Sequence, residues 1–511
     1  MIDGSWNRFD RLVIRGVCIF FAFVFLYLAF YCLVFTYVFE EPTLAEHLLR
    51  QRDSLFLNFF LLMLISASMT ALLFLGKRLS LKTCTIVVLL ALFVVGILWV
   101  NAFTGRPRSD SASCYLAGIA LSSGQSPTAE YFQKVPHQIG FSFYCEIFVR
   151  LFGGNAYKAM QNANVLYFIL SYAALLRLTW SSLHNERVQR CLLVWLLFCL
   201  PLLLYCTFVY GNLPGLACIL WSFILIQKWL ETKQHWLLLP ISLLCALAVL
   251  LKPNFWISIV ALTLVVLLFL LSRRAFRLLP LLLLPVLIST LSVNAAQSLF
   301  ITRTGISIDK GAPQIAWLTM GMQEGSRAAG WYNQYPWDLL DEHNFDYDAA
   351  SQQALTDMQS RLRVFLSDPA YAASFYHSKL VTQWGETTFE SLWINEHQVI
   401  SMEQLQGFPR QLLQGNLTQA ANRYMDGFSI LLYLAFALGM VCFSRRRGIH
   451  GEAWKNTFPL LLLLVNLFGG WLYHMLFEAK SQYLFPYLPM MFPFAALAMV
   501  QLFPGREKKR R

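Results

Sequence analysis

The chain has 511 residues, of which 57% are hydrophobic, 15% aromatic and only 13% charged. Soluble globular domains carry about 25% charged residues and roughly 45–50% apolar ones, so a soluble enzyme, a disordered tail protein and a disulfide scaffold are excluded and an all-α polytopic membrane protein is expected. The net charge is +12, but much of the excess lies in short loops between apolar runs, where the positive-inside rule places it; the expected partner is the lipid bilayer, and no nucleic acid.

A helix needs about 20 apolar residues to cross roughly 30 Å of hydrocarbon. In chain order the apolar runs lie near 16–38, 55–76, 83–103, 160–178, 190–209, 213–228, 236–251, 255–271, 278–299, 428–443, 457–476 and 483–503. This predicts about 12 transmembrane helices (11–13). The first run is too long for a cleaved signal peptide, and no small-residue cleavage site follows it. Cys18, Cys32, Cys191, Cys199, Cys218, Cys245 and Cys442 fall inside apolar runs, where cysteine acts as a small hydrophobe. No Cys/His spacing suggests a metal site; no cofactor is expected, with a divalent metal as the alternative left open.

Loop charge sets the sides. Arg8, Arg11 and Arg15 precede the first run, and Lys77, Arg78 and Lys82 follow the second. Both groups read as cytoplasmic. From the other end, Arg506 to Arg511, Arg445 to Arg447, then Arg273, Arg274 and Arg277, then Lys228 and Lys233, then Arg187 and Arg190 also read as inside. Residues 104–137 and 154–158 are then both outside, which leaves the segment 138–153 with both ends on one face. Its sixteen residues reach about 24 Å as a helix, and Gln138, Ser142, Glu146 and Arg150 give it a polar stripe. It reads as an interfacial or re-entrant helix at the outer leaflet; a short true span with one neighbour misread is the alternative.

The chain thus divides into N-terminal spans (1–103), an outer loop with juxtamembrane helices (104–158), a transmembrane core (159–300), an extracytoplasmic region (301–427) and C-terminal spans with a basic cytoplasmic tail (428–511). The extracytoplasmic region mixes Trp317, Trp331, Trp337, Trp384 and Trp393 with many polar residues, and 348–366 and 368–383 read as helical. No internal repeat or low-complexity tract occurs.

Residues able to carry chemistry gather on the outer face. Asp110 lies seven residues past the third run, beside Arg106 and Arg108 and before the helix-like stretch 111–123. A half-desolvated carboxylate there suits a general base toward a hydroxyl; a helix N-cap is the structural alternative. Lys252 falls in a short outer hairpin, where the charge rule disfavours lysine. It reads either as a grip on an anionic partner such as a lipid phosphate or as a snorkelled turn residue. No Gly-rich phosphate loop is present.

The order of these features resembles the GT-C superfamily of membrane glycosyltransferases. It runs through a span, the early Asp110, a small-residue helix, the Pro-His-Gln turn at 136–138, an apolar helix ending Leu-Phe-Gly and a Gln/Asn-rich span. The resemblance is nearest to bacterial relatives of the protein O-mannosyltransferase and aminoarabinose transferase group. A second match is FEAKSQYLFPYLP at 477–489, where Glu478, Lys480, Tyr483 and Pro489 fit the family pattern and Gln482 stands where Arg is usual. Weaker echoes lie at 210–215, 252–254 and 312–321.

The resemblance implies a polyprenyl-phosphate sugar as donor and a glycan, lipid or protein hydroxyl as acceptor, with 104–158 as the catalytic loop. Asp110 falls on the catalytic acid position; the adjacent acidic residue of many members is Ser111 here, which weakens any case for a metal. Lys480, Lys252, Arg106 and Arg108 are the implied phosphate-binding cations. His137, Gln138, Glu478 and Tyr483 are the implied substrate-binding residues. The aromatics of 301–427 either stack on sugar rings or anchor at the interface. The implied site is the cell membrane, with chemistry on the extracytoplasmic face; in a eukaryotic chain Lys508 and Lys509 would also suit retrieval to the endoplasmic reticulum. The rival readings are a transporter or flippase, a polysaccharide polymerase or ligase acting on lipid-linked glycans, and a structural membrane partner.

Overall fold

The computed structural model describes residues 8–40, 46–403, 405–445 and 454–502. Arg446, Arg447 and the basic run 506–511, including Lys508 and Lys509, lie outside them. Every apolar run predicted above carries a helix. The first is α1 (Arg8–Val34). Its continuation, Phe-Thr-Tyr-Val-Phe, is aromatic and β-branched, a composition that suits a strand. It forms β1 (Phe35–Phe39), antiparallel to β2 (Leu48–Arg52), with Phe35 opposite Arg52 and Phe39 opposite Leu48. This hairpin is the departure from the all-α expectation among the described residues.

The next two helices, α2 (Leu55–Gly76) and α3 (Leu81–Ala102), start at Ser54 and Ser80, whose hydroxyls accept from the amides of Leu57 and Thr83. Ser and Thr caps of this kind satisfy otherwise orphaned amides. The segment 104–158 then gives α4 (Ser109–Ser122), the short α5 (Ala129–Lys134) and α6 (Ile139–Phe152). A single turn at 153–155 leads into α7 (Ala156–Leu183). The following run is broken into α8 (Glu186–Phe198) and α9 (Leu200–Leu204), with a bend of 55° between 186–198 and 200–207. Pro201 enters at the start of the second piece, where its missing N–H is tolerated.

The chain continues through α10 (Asn212–Thr232), α11 (Leu238–Leu251), α12 (Trp256–Ser272) and α13 (Leu283–Thr304). Residues 301–427 contribute α14 (Gln314–Met320), α15 (Tyr335–Glu342), α16 (Tyr347–Ser367), α17 (Pro369–Gly385), α18 (Ser391–Gln398) and α19 (Gly407–Gln414). The last helices are α20 (Thr418–Ser444), α21 (Trp454–Leu476) and α22 (Leu488–Leu502). The two helices expected over 348–366 and 368–383 are α16 and α17.

Among the described residues nine helices are long and apolar enough to cross a membrane, ten if the bent pair is one span; 235–251 and 488–502 are apolar but shorter. The protein is therefore a multi-pass membrane protein by length and composition. Only 11% of the window in α2 is buried, against 78% for 212–232, so α10 is a core helix and α2 is peripheral. Apolar side chains left exposed on α1, α2 and α3 suit contact with lipid tails.

The polar stripe of α6 turns into the protein. Ser142 and Glu146 are buried. Glu146 takes Arg303 from the end of α13 at 2.7 Å on each oxygen and Arg150 Nε at 2.8 Å. Arg150 and Arg303 also both donate to the Leu121 carbonyl at the end of α4, at 3.1 Å.

A second buried network ties the hairpin to α20. Asp53 accepts from the Thr36 hydroxyl at 2.7 Å and pairs with Arg423. Arg423 also reaches Asp426 at 3.4 Å, and Asp426 takes the Thr387 hydroxyl at 2.5 Å. Removing one partner of a buried pair strands the other charge. Arg423→Met is therefore expected to cost about 3 kcal/mol of stability, read as a lowered thermal unfolding midpoint in detergent. An unchanged midpoint would contradict a supporting role for the pair.

Candidate functional site

The site is built outward from a stretch of irregular backbone. Between α9 and α10 the chain passes through a single 3-10 turn at 205–207 and then leaves helical structure over 208–211, and the freed carbonyls need donors. The Gln/Asn-rich face of α7 supplies them. Gln161 donates to the Thr207 carbonyl at 2.8 Å, and Asn164 to those of Cys206 and Phe208 at 3.2 and 3.1 Å. From α18, Asn395 donates to the Leu204 carbonyl at 3.1 Å and accepts the Thr207 hydroxyl at 2.5 Å. The segment ends at Gly211, with φ +76°, where an added Cβ would sit 2.1 Å from the Leu251 carbonyl. Only glycine fits there, and the close approach sets Tyr210 beside the end of α11.

Tyr210 is the hinge of the cluster. Its hydroxyl donates to Asp110 Oδ2 at 2.7 Å and accepts from Gln138 Nε2 at 2.7 Å. The Lys252 ammonium lies 3.3 Å from its ring centroid. Asp110 is half-buried in the first turn of α4, where the helix dipole favours a carboxylate. It does not cap the helix as the alternative reading expected. Arg108 occupies the cap position, and the Ser111 hydroxyl closes the turn on the Arg108 backbone. That frees the carboxylate for Tyr210. Burial lowers the Lys252 pKa to about 8, and the charge of Asp110 opposes the shift.

A second cluster stands on the Phe477–Lys480 segment. Lys480 pairs with Glu46 at 2.6 Å and Glu390 at 3.3 Å, and Arg327 reaches the other Glu46 oxygen at 3.0 Å. Burial works against Lys480, but Glu390 and Glu46 hold its ammonium above the ordinary value. Glu46 is the nearer counter-ion, and its carboxyl falls below the usual value because Lys480 and Arg327 outweigh its burial. Burial raises Glu390 to about 8 and Glu478 to about 7. Glu478 accepts from Tyr483 at 3.0 Å, and Tyr483 stacks on His474 with centroids 5.1 Å apart. Arg108 lays its guanidinium 4.0 Å over Trp393, with Nη1 buried and unpartnered.

The two clusters share one rim. Asp110 acts electrostatically on Glu478 and Tyr483, and Lys480 on Lys252. Tyr332, half-buried, feels both Asp110 and Glu478. Backbone strain marks the same rim: Ser109, next to Asp110, has φ +48°, and Phe389 and Glu390 have φ +51° and +61°. Left-handed non-glycine residues are uncommon, and such strain gathers where side chains must be aimed.

The sequence-predicted residues thus separate into groups. Asp110, Lys252, Gln138, Glu478, Tyr483, Arg108 and Lys480 come together, with His137 half-buried in electrostatic reach of Asp110 and Lys252. Arg106 stays exposed; its amide joins the loop to the Gln398 carbonyl at 2.8 Å. Two of the residues differ from expectation in what they touch. Gln138 is buried and committed to Tyr210, and Lys480 is already paired with the ionised Glu46. Glu46, Glu386, Glu390 and Arg327 were missed. Their signal was charge in short stretches flanked by apolar residues, as in Gly-Glu-Thr-Thr-Phe-Glu-Ser at 385–391. Two open clefts are lined by residues other than Asp110, mostly from 307–357. One of about 300 Å³ is lined by Gln133, Asp309 and Tyr347, and one of about 430 Å³ by Asn333, Asp338 and Asp357.

Comparison of the chain with protein-family models, with curated proteins and with solved structures returned no match.

The buried acids carry a pH signature. The folded chain keeps the Glu390 proton up to about pH 8, whereas an unfolded chain loses it near 4.5. Between those values the folded state binds more protons, so this group lowers stability as pH rises. Glu390→Gln, which imitates the protonated acid, is expected to flatten the thermal midpoint between pH 5 and 8. A slope identical to that of the native chain would contradict this assignment.

Proposed function

We propose that the protein is an integral membrane glycosyltransferase of the GT-C kind, moving a sugar from a polyprenyl-phosphate donor to an acceptor hydroxyl on a glycan, lipid or protein. In this reading twelve spans cross the cell membrane with the N-terminus inside, and residues 104–158 and 301–427 stand on the extracytoplasmic face. The observation that carries it is the Asp110 carboxylate, aimed by the 2.7 Å bond from Tyr210, with the Lys252 ammonium against the same ring.

Asp110 takes the proton of the acceptor hydroxyl as its oxygen forms the bond to the anomeric carbon. The bond from that carbon to the donor phosphate oxygen breaks, and polyprenyl phosphate leaves with the electron pair. Cations at the leaving oxygen stabilise the charge that develops. Lys252 and the unpartnered Nη1 of Arg108 are the groups with capacity for it. Lys480 serves the phosphate less directly, since Glu46 already balances it; its role is to hold Glu46, Glu390 and the 477–480 segment in place.

A transporter is the second reading, because the broken span between α8 and α10 resembles the unwound helices of transporters. Against it, the carbonyls freed at Cys206, Thr207 and Phe208 are taken by Asn164 and Gln161, so they are not open to a passing ion.

Membranes supplied with a panel of labelled polyprenyl-phosphate sugars test the reading. Asp110→Asn is expected to lower kcat by about 10²–10⁴-fold with expression and insertion intact; native turnover would remove Asp110 from the mechanism. Lys252→Met is expected to raise the donor KM by about 10–100-fold. In the native chain the donor KM should rise about tenfold per pH unit above pH 8, as Lys252 loses its proton. A donor KM flat from pH 7 to 10 would exclude Lys252 as the phosphate grip.

A further inference from the structure

The geometry points to Lys379 as a positioning residue, whose ammonium ties the turn at Gly321 to the Phe477–Lys480 segment and so sets where Glu478 and Lys480 stand. Lys379 projects from α17 and is fully buried. Its Nζ donates to the Gly321 carbonyl at 2.5 Å and to the Phe477 carbonyl at 2.6 Å. Among the described residues it has no salt-bridge partner. A buried ammonium without a counter-ion is costly, and a methionine would fill the volume at lower cost. What a methionine lacks is donors, and the ammonium has three.

Those donors act where the backbone has none of its own to offer. α21 ends at Leu476, and the chain then runs without regular structure to 480. Its terminal carbonyls need partners. The 321–330 turn supplies a second tie, because Ala479 N–H donates to the Gly330 carbonyl and Gly330 N–H to Gln323, both at 2.8 Å. Gly330 has φ +69°, and a Cβ there would sit 2.7 Å from Lys379 Nζ. One turn further along α17, Gln383 donates to the Lys480 carbonyl at 3.3 Å. Lys379, Gln383 and the 321–330 turn thus hold the segment together.

Glu478 and His474 are the titratable groups that face Lys379, from the segment and from α21. Burial lowers the Lys379 pKa to about 7, and Glu478 opposes the shift. The tie is then strongest when Lys379 holds its proton and loosens as pH rises past neutrality.

Hydrogen exchange reads this without reference to enzymatic activity. In the full chain in detergent, Lys379→Met is expected to speed exchange of residues 477–484 and 321–331 at least tenfold, with α10 and α22 unchanged. Native protection of 477–484 in that variant would overturn the proposal. If the variant fails to fold, the native chain decides. Exchange of 477–484, corrected for its intrinsic pH dependence, should rise at least threefold from pH 6 to 8.5; a flat profile would overturn the proposal. The link to chemistry rests on the transferase reading, under which Lys379→Met should lower kcat more than it raises the donor KM. Faster exchange in a chain that transfers no sugar would leave the positioning role intact and remove the transferase reading instead.

Discussion

Everything at the rim depends on how one tyrosine is delivered. Tyr210 can meet Asp110, Gln138 and Lys252 at once only because the span before it breaks and its backbone approaches the end of α11 within the space that glycine leaves. The break would be prohibitive in lipid without donors for the freed carbonyls. The amides of α7 and α18 make it tolerable. The polar residues of α7, which look out of place in an apolar span, are thus the support on which the carboxylate geometry rests.

The second cluster solves a different problem. Glu46, Glu386, Glu390 and Glu478 bring four acids into a low-polarity rim beside the cations Lys480, Arg327 and Arg108. Full ionisation of all four acids would leave an excess of unscreened negative charge there. Burial instead pushes Glu386, Glu390 and Glu478 upward, while Glu46 stays ionised against Lys480 and Arg327. The rim then presents a limited number of charges at neutral pH.

Much of this was legible in the sequence, for physical reasons that differ by element. Apolar runs fix helices strongly, so each predicted run carries one, although among the described residues nine, or ten with the bent pair, are long and apolar enough to span; the stretches at 347–367 and 369–385 appear with them. The hairpin at 35–52 was hidden because its aromatic strand continues an apolar run without a break in composition. Asp110 and Lys252 could be singled out because charge at a membrane surface is costly and therefore informative. Their meeting through Tyr210 could not, since Tyr210 lies 100 residues from Asp110 and 72 from Gln138 in sequence. A still longer separation of 434 residues divides Lys480 from Glu46, which is why Lys480 read as a free cation and is a paired one. The stripe on α6 was visible, but its partner, Arg303, lies at the far end of another helix.

The proposed chemistry requires a lipid-borne phosphate to sit at Lys252, with the anomeric carbon and the acceptor hydroxyl between it and Asp110. The most direct measurement uses a photoreactive polyprenyl phosphate, crosslinked in membranes and mapped by mass spectrometry of the digested chain. The account expects adducts on 106–115, on 252–256 and on 478–483, competed by unlabelled polyprenyl phosphate. Adducts confined to the lipid-facing sides of α1, α2 and α3, or to the basic turns near 77–82 and 273–277, would contradict it.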